Sequence, residues 1–140
     1  MIQIISGVKG KGKTKYLLEK VNDSVNKVNG NIVFLDKNTK HMYELNNRVR
    51  LIDVLELPVN NSDEFLGFLC GLISQDNDLE EVYFDSFLTI AQIESDDALC
   101  KAIERLEILS QKYNLNFTLS VSKDEADLPE CVKKYIAISL

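Results

Sequence analysis

An apolar run, Ile2, Ile4 and Ile5, is followed directly by SGVKGKGKT at positions 6–14, which holds three glycines and three lysines in nine residues. From Lys13 the pattern turns helical, with Leu17, Leu18, Val21, Val25 and Val28 on one face and Asn29-Gly30 as a stop. A buried strand that enters a glycine turn and then an amphipathic helix constrains everything after it. The helix must pack back on the sheet, and the next strand then runs parallel to the first.

The rest of the chain repeats that alternation. NIVFLD (31–36) and VRLID (49–53) read as short strands separated by a polar stretch with a short helix around Met42 to Leu45. The Asp53 strand carries Arg50 and reads as an edge. Asn61 and Glu64 form a capping-box signal for a helix through about Ser74. That helix is apolar nearly all round, so it is expected to be buried, with Gly67 and Gly71 allowing close approach. EVYFD (81–85) is another strand ending in Asp. Ser95, Asp96 and Asp97 open a helix whose apolar face is Leu99, Ala102, Ile103, Leu106, Leu109 and Tyr113. LNFTLSVS (115–122) alternates strictly, so one face of that strand must meet something polar. Pro129 opens a last short helix before the closing strand YIAISL. The expected fold is a three-layer α/β/α sandwich with a mostly parallel central sheet, one domain over residues 1–140.

Composition narrows the partners. The formal net charge of −6 repels a phosphate backbone on average, so nucleic acid is not expected. The longest apolar run, FLGFLCGLI at 65–73, is about half of what spans a bilayer. Cys70, Cys100 and Cys131 are widely spaced and accompanied by a single His, which supports neither a zinc site nor a disulfide framework. Small buried thiols in a reducing compartment are expected. The opening residues lead into a strand rather than a leader pattern, and a cytoplasmic protein is the expectation.

Gly7-Val8-Lys9-Gly10-Lys11-Gly12-Lys13-Thr14 fits G-x-x-x-x-G-K-[ST] at every fixed position. Glycines let backbone N–H groups wrap a phosphate in conformations that a Cβ forbids. Lys13 at the helix start suits the β- and γ-phosphates, helped by the positive end of the helix dipole, and Thr14 suits Mg²⁺. The nucleotide-contacting stretch is therefore read as Gly7 through Lys15. Lys9 and Lys11, which the pattern does not demand, read as solvated loop charges.

These residues resemble the P-loop NTPase superfamily. In that superfamily a second element, an apolar strand ending in Asp, holds Mg²⁺. Asp36, Asp53 and Asp85 all end strands; Asp85 is the one favoured, and the other two read as turn carboxylates. The resemblance to the RecA-like branch implies that strand 115–121 lies between the loop strand and the Asp85 strand. Ser120 or Ser122 would then sense phosphate or water. Members that hydrolyse ATP often carry Glu after the Asp, whereas Ser86 stands here. The next carboxylates along the chain are Glu94, Asp96 and Asp97. Arg48, Arg50 and Arg105 read as surface residues, and the guanine-recognition pattern of GTPases is missing. The opening is also similar to small bacterial P-loop proteins labelled twitching-motility ATPase-like, and the core to that of thymidine kinases without their zinc lobe. The implied function is Mg-ATP binding with weak or partner-activated hydrolysis. A small-molecule kinase and a non-enzymatic nucleotide switch are the alternatives, with a protein partner or a second copy left open.

Overall fold

The computed structural model describes all of residues 1–140. Its strands are β1 (Ile2–Ser6), β2 (Asn31–Asp36), β3 (Val49–Asp53), β4 (Leu79–Phe84), β5 (Asn116–Val121) and β6 (Ile136–Ser139). The helices are α1 (Lys13–Ser24), α2 (Ser62–Ser74), α3 (Phe87–Ile90), α4 (Asp96–Tyr113) and α5 (Glu130–Lys133). The strands form one sheet in the order β3-β2-β4-β5-β1-β6, with every pairing parallel. Thus β5 lies between β1 and β4, and β3 is an edge with Arg50 exposed.

A parallel sheet must be covered on both faces, and successive strand residues supply both covers. Phe34 and Tyr83 pack with Ile5 and Ile32 under Leu17, Val21 and Val25 of the first helical segment. Their neighbours Leu35 and Phe84 go to the other face with Ile4, Phe117 and Leu119, beneath α2 to α5. On that second face Phe84 meets Phe87 and Phe117 edge-on, at centroid distances of 5.6 Å in each case. The consequence is a rigid sheet centre that fixes the C-terminal ends of β4 and β5.

The caps form as their residue types require. Asn61 Oδ1 accepts from the Glu64 N–H at 2.9 Å, and Glu64 Oε1 accepts from the Asn60 N–H at 2.8 Å. Ser95 Oγ accepts from the Ala98 N–H at 3.1 Å. Gly30 ends the α1 connection for a reason of space, since a Cβ there would collide with the Asp78 carbonyl oxygen.

Two expectations are corrected, and one helix appears that the sequence pattern does not announce. First, α2 is not buried all round: Phe65, Leu66, Leu69, Leu72 and Ile73 are buried, while Gly67, Cys70 and Gly71 are exposed. A Cβ on either glycine would meet nothing within 4 Å, so their smallness serves no internal contact. An outer-layer helix needs only one apolar stripe against the sheet. Second, α3 follows β4 at once through Ser86, a non-glycine residue at φ 56°, and buries Phe87 and Ile90. Periodicity cannot reveal so short a helix.

Third, Cys100 on α4 and Cys131 on α5 form a disulfide, their Cα atoms 5.9 Å apart, and Cys70 is an exposed free thiol. The packing of α5 on α4 creates this pairing, which the spacing along the chain does not reveal. Closing a loop across a separation of 31 residues stabilises by about 3.5 kcal/mol in the chain-entropy picture. Cys131→Ser is therefore expected to lower the melting temperature by about 10 °C. A thermal melt with and without reductant checks this, with Cys70→Ser as the control that leaves the transition in place.

Candidate functional site

Four neighbouring strands, β2, β4, β5 and β1, bring their C-terminal ends together. There Thr14, which follows the loop after β1, meets Asp85, which follows β4. Gly7, Gly10 and Gly12 have φ values of 158°, 91° and 90°. No Cβ contact crowds Gly10 or Gly12, so at these two the backbone conformation itself calls for glycine. The Gly7 N–H donates to the carbonyls of Lys123 at 2.9 Å and Val121 at 3.3 Å, which ties the root of the loop to the end of β5. Val8, Lys9, Gly10, Lys11 and Gly12 are exposed, as is Lys15 on α1.

Lys13 behaves differently from these other lysines. It is the first residue of α1 and only 7% exposed, and its Nζ donates to the Val8 carbonyl at 3.1 Å. Burial pushes its pKa below the usual lysine range; Asp85 opposes that shift and the charge of Lys37 adds to it. One residue on, Thr14 Oγ1 donates to Asp85 Oδ2 at 2.9 Å. The other carboxylate oxygen, Oδ1, accepts from Ser120 Oγ at 2.7 Å, and Ser120 Oγ accepts from the Ser86 N–H at 2.8 Å. The polar face of β5 thus has its partner, and Asp85 is oriented by hydroxyls from two elements. Ser122 lies just beyond the end of β5, exposed and without a side-chain hydrogen bond, because the chain turns at Lys123.

Asp53 does what a turn carboxylate does, accepting from the Leu55 N–H at 3.2 Å. Asp36 does not fit that description. It is 1% exposed; its Oδ1 accepts from the Lys37 N–H at 2.7 Å, while its Oδ2 has no partner. The Asp85 N–H donates to the Leu35 carbonyl at 2.9 Å, which holds the ends of β2 and β4 side by side. Burial raises the pKa of Asp36. The Lys37 N–H lowers it, the charge of Asp85 raises it, and His41 and Lys37 lower it. Ser6 Oγ, at the end of β1, is the other buried side-chain oxygen without a partner. Unpartnered buried oxygens are uncommon, and both of these stand at strand ends around the loop.

Glu94, Asp96 and Asp97 are exposed, and none touches Asp85. Asp96 pairs with Lys123 at 3.3 Å. The arginines have other surroundings as well: Arg48 donates to the Val25 carbonyl at 2.9 Å, Arg50 lies on the edge strand, and Arg105 lines a groove. That groove, about 1040 Å³ between α2 and α4, includes none of the loop or Asp85-cluster residues in its lining.

Chemically, the cluster offers a glycine backbone and a buried ammonium for an anion. It also has a carboxylate and a hydroxyl suited to a hard divalent cation, and a second carboxylate able to take a proton. The sequence pattern reads this second carboxylate as a turn residue and does not show its burial. The available sign was the unbroken apolar run Ile32 to Leu35 before it, all buried, which marks a central strand. No helix is long and apolar enough to cross a membrane. No family model matches the chain, and no curated protein matches it.

Proposed function

We propose that this chain is a RecA-like P-loop domain that binds Mg-ATP and hydrolyses it slowly, with Asp36 in the place that a Glu after Asp85 would fill. The observation that carries this reading is the contact of Thr14 Oγ1 with Asp85 Oδ2 across 71 positions of sequence, beside the buried Lys13 ammonium. It unites the loop motif with a strand-end carboxylate on a different strand. The position of β5 between β1 and β4 agrees with the RecA-like branch.

In this reading the loop from Gly7 to Lys15 holds the phosphates through backbone N–H groups, and Lys13 exchanges the Val8 carbonyl for phosphate oxygens. Thr14 and Asp85 fit Mg²⁺, which takes few protein oxygens and keeps waters and phosphate oxygens for the rest. When bound, that ion draws negative charge from the β- and γ-phosphate oxygens. Ser120 keeps Asp85 oriented. Asp36, with its unpartnered Oδ2, accepts the proton of a water as the water oxygen bonds to the γ-phosphorus. The bond from the γ-phosphorus to the bridging oxygen breaks, and ADP carries that oxygen away. A raised pKa makes Asp36 a better proton acceptor than an exposed aspartate, while Ser86 has no such capacity. A phosphotransferase is less well supported, because none of the three arginines stands at the loop.

Isothermal titration with a non-hydrolysable ATP analogue tests the reading. Wild type is expected to bind more tightly with Mg²⁺ than without. Asp85→Ala is expected to lose about tenfold to a hundredfold of the Mg²⁺-dependent affinity and little of the remainder. Equal losses under both conditions would remove Asp85 from the metal, and absence of wild-type binding would end the nucleotide reading.

A further inference from the structure

The site carries a second lysine that the loop motif does not include. Lys37 follows Asp36 at the end of β2, and its backbone N–H is held by Asp36 Oδ1 at 2.7 Å. The Asp85 N–H to Leu35 carbonyl bond fixes this strand end beside β4, so residue 37 starts from the rim of the cluster. Its side chain is exposed and forms no ion pair, as is true of most lysines in the chain. Its charge is felt both at Lys13 and at Asp36. No carboxylate holds this cation in an ion pair. The arginines, as described, all lie elsewhere.

We propose that Lys37 is a γ-phosphate-contacting cation supplied in cis by the end of β2, doing from within the chain what an arginine from a partner does in other phosphoryl-transfer sites. The inference rests on the nucleotide reading above and adds a residue to it. A γ-phosphate carries the charge that draws the ammonium in, so Lys37 separates the triphosphate state from the diphosphate state. An ammonium on a flexible stem suits this task because it can swing onto the phosphate when it is present and return to water when it is absent.

The test compares affinities for Mg-ADP alone and for Mg-ADP with beryllium fluoride, which occupies the γ-phosphate position, and so needs no turnover. Wild type is expected to prefer the beryllium fluoride complex. Lys37→Ala should shrink that preference by about tenfold or more, the scale of one charge-assisted hydrogen bond, with ADP affinity unchanged. Lys37→Arg should keep it, and Lys40→Ala, a neighbouring exposed lysine, should leave it as in wild type. An unchanged preference in Lys37→Ala would overturn the proposal, as would an equal loss for both ligands or an equal effect of Lys40→Ala. If wild type binds neither ligand, it is the nucleotide reading that fails, a result separable from all of these.

Discussion

Replacing Lys13 by alanine is expected to cut Mg-ATP affinity on the order of a thousand-fold, equivalent to about 4 kcal/mol, while the protein stays folded. Both halves of that expectation come from the same burial. The ammonium is nearly enclosed, yet its one hydrogen bond is to the Val8 carbonyl at 3.1 Å. A charge so placed is poorly solvated and poorly paired, which is why its pKa is lowered. In the ligand-free protein the charged form carries an unfavourable term at neutral pH, which fades as pH rises from the lowered folded pKa toward the ordinary lysine value. Phosphate oxygens reverse that term, because they provide the pairing that the Val8 carbonyl gives only in part. Alanine removes both the penalty and the gain, so the melting temperature of the free protein should change far less than the affinity. Titration calorimetry paired with a thermal melt checks both. Undiminished affinity would show that the loop does not hold the phosphates, and unfolding would show that Lys13 is mainly a packing residue.

The sequence made some of this legible and hid the rest for identifiable reasons. The loop was readable because its determinants are local: glycines at φ values that L side chains avoid, a lysine at a helix start, and a strand before it. The role of the polar face of β5 was partly readable, since strict alternation required a polar partner, and Ser120 meets Asp85. Ser122 shares that alternation but not that place, because the strand stops at Val121. The difficulty with Asp36 was lateral order. Three strands end in Asp, and nothing along the chain says which end lies next to which. The sheet order β3-β2-β4 puts Asp36 beside Asp85, and Asp53 one strand further out. The outward small residues of α2 misled in the opposite sense. Gly67 and Gly71 look like a packing seam in sequence, and in the structure they face open space.

Asp36→Asn is expected to move two measurements in opposite directions. Turnover of ATP should fall about a thousand-fold, the middle of the range for losing a positioned general base. Mg²⁺-dependent binding of a non-hydrolysable analogue should remain, because Thr14 and Asp85 are untouched. At the same time the ligand-free variant should melt a few degrees higher than wild type at neutral pH. The sign follows from the raised pKa of Asp36, caused first by burial. The folded protein holds that proton more tightly than the unfolded chain does, so ionisation at neutral pH costs folding free energy. The cost is absent below the unfolded carboxylate pKa, grows as pH rises toward the raised folded value, and stays constant above it. The stabilisation by Asn should therefore shrink as the melt is repeated at progressively acidic pH. Asn keeps an oxygen for the Lys37 N–H, now at 2.7 Å from Asp36 Oδ1, so the end of β2 need not rearrange. A burial cost retained beside the glycine loop is explained if the carboxylate works there. Unchanged turnover in the variant would leave the unpartnered Oδ2 without that explanation and move the search for the proton acceptor away from β2.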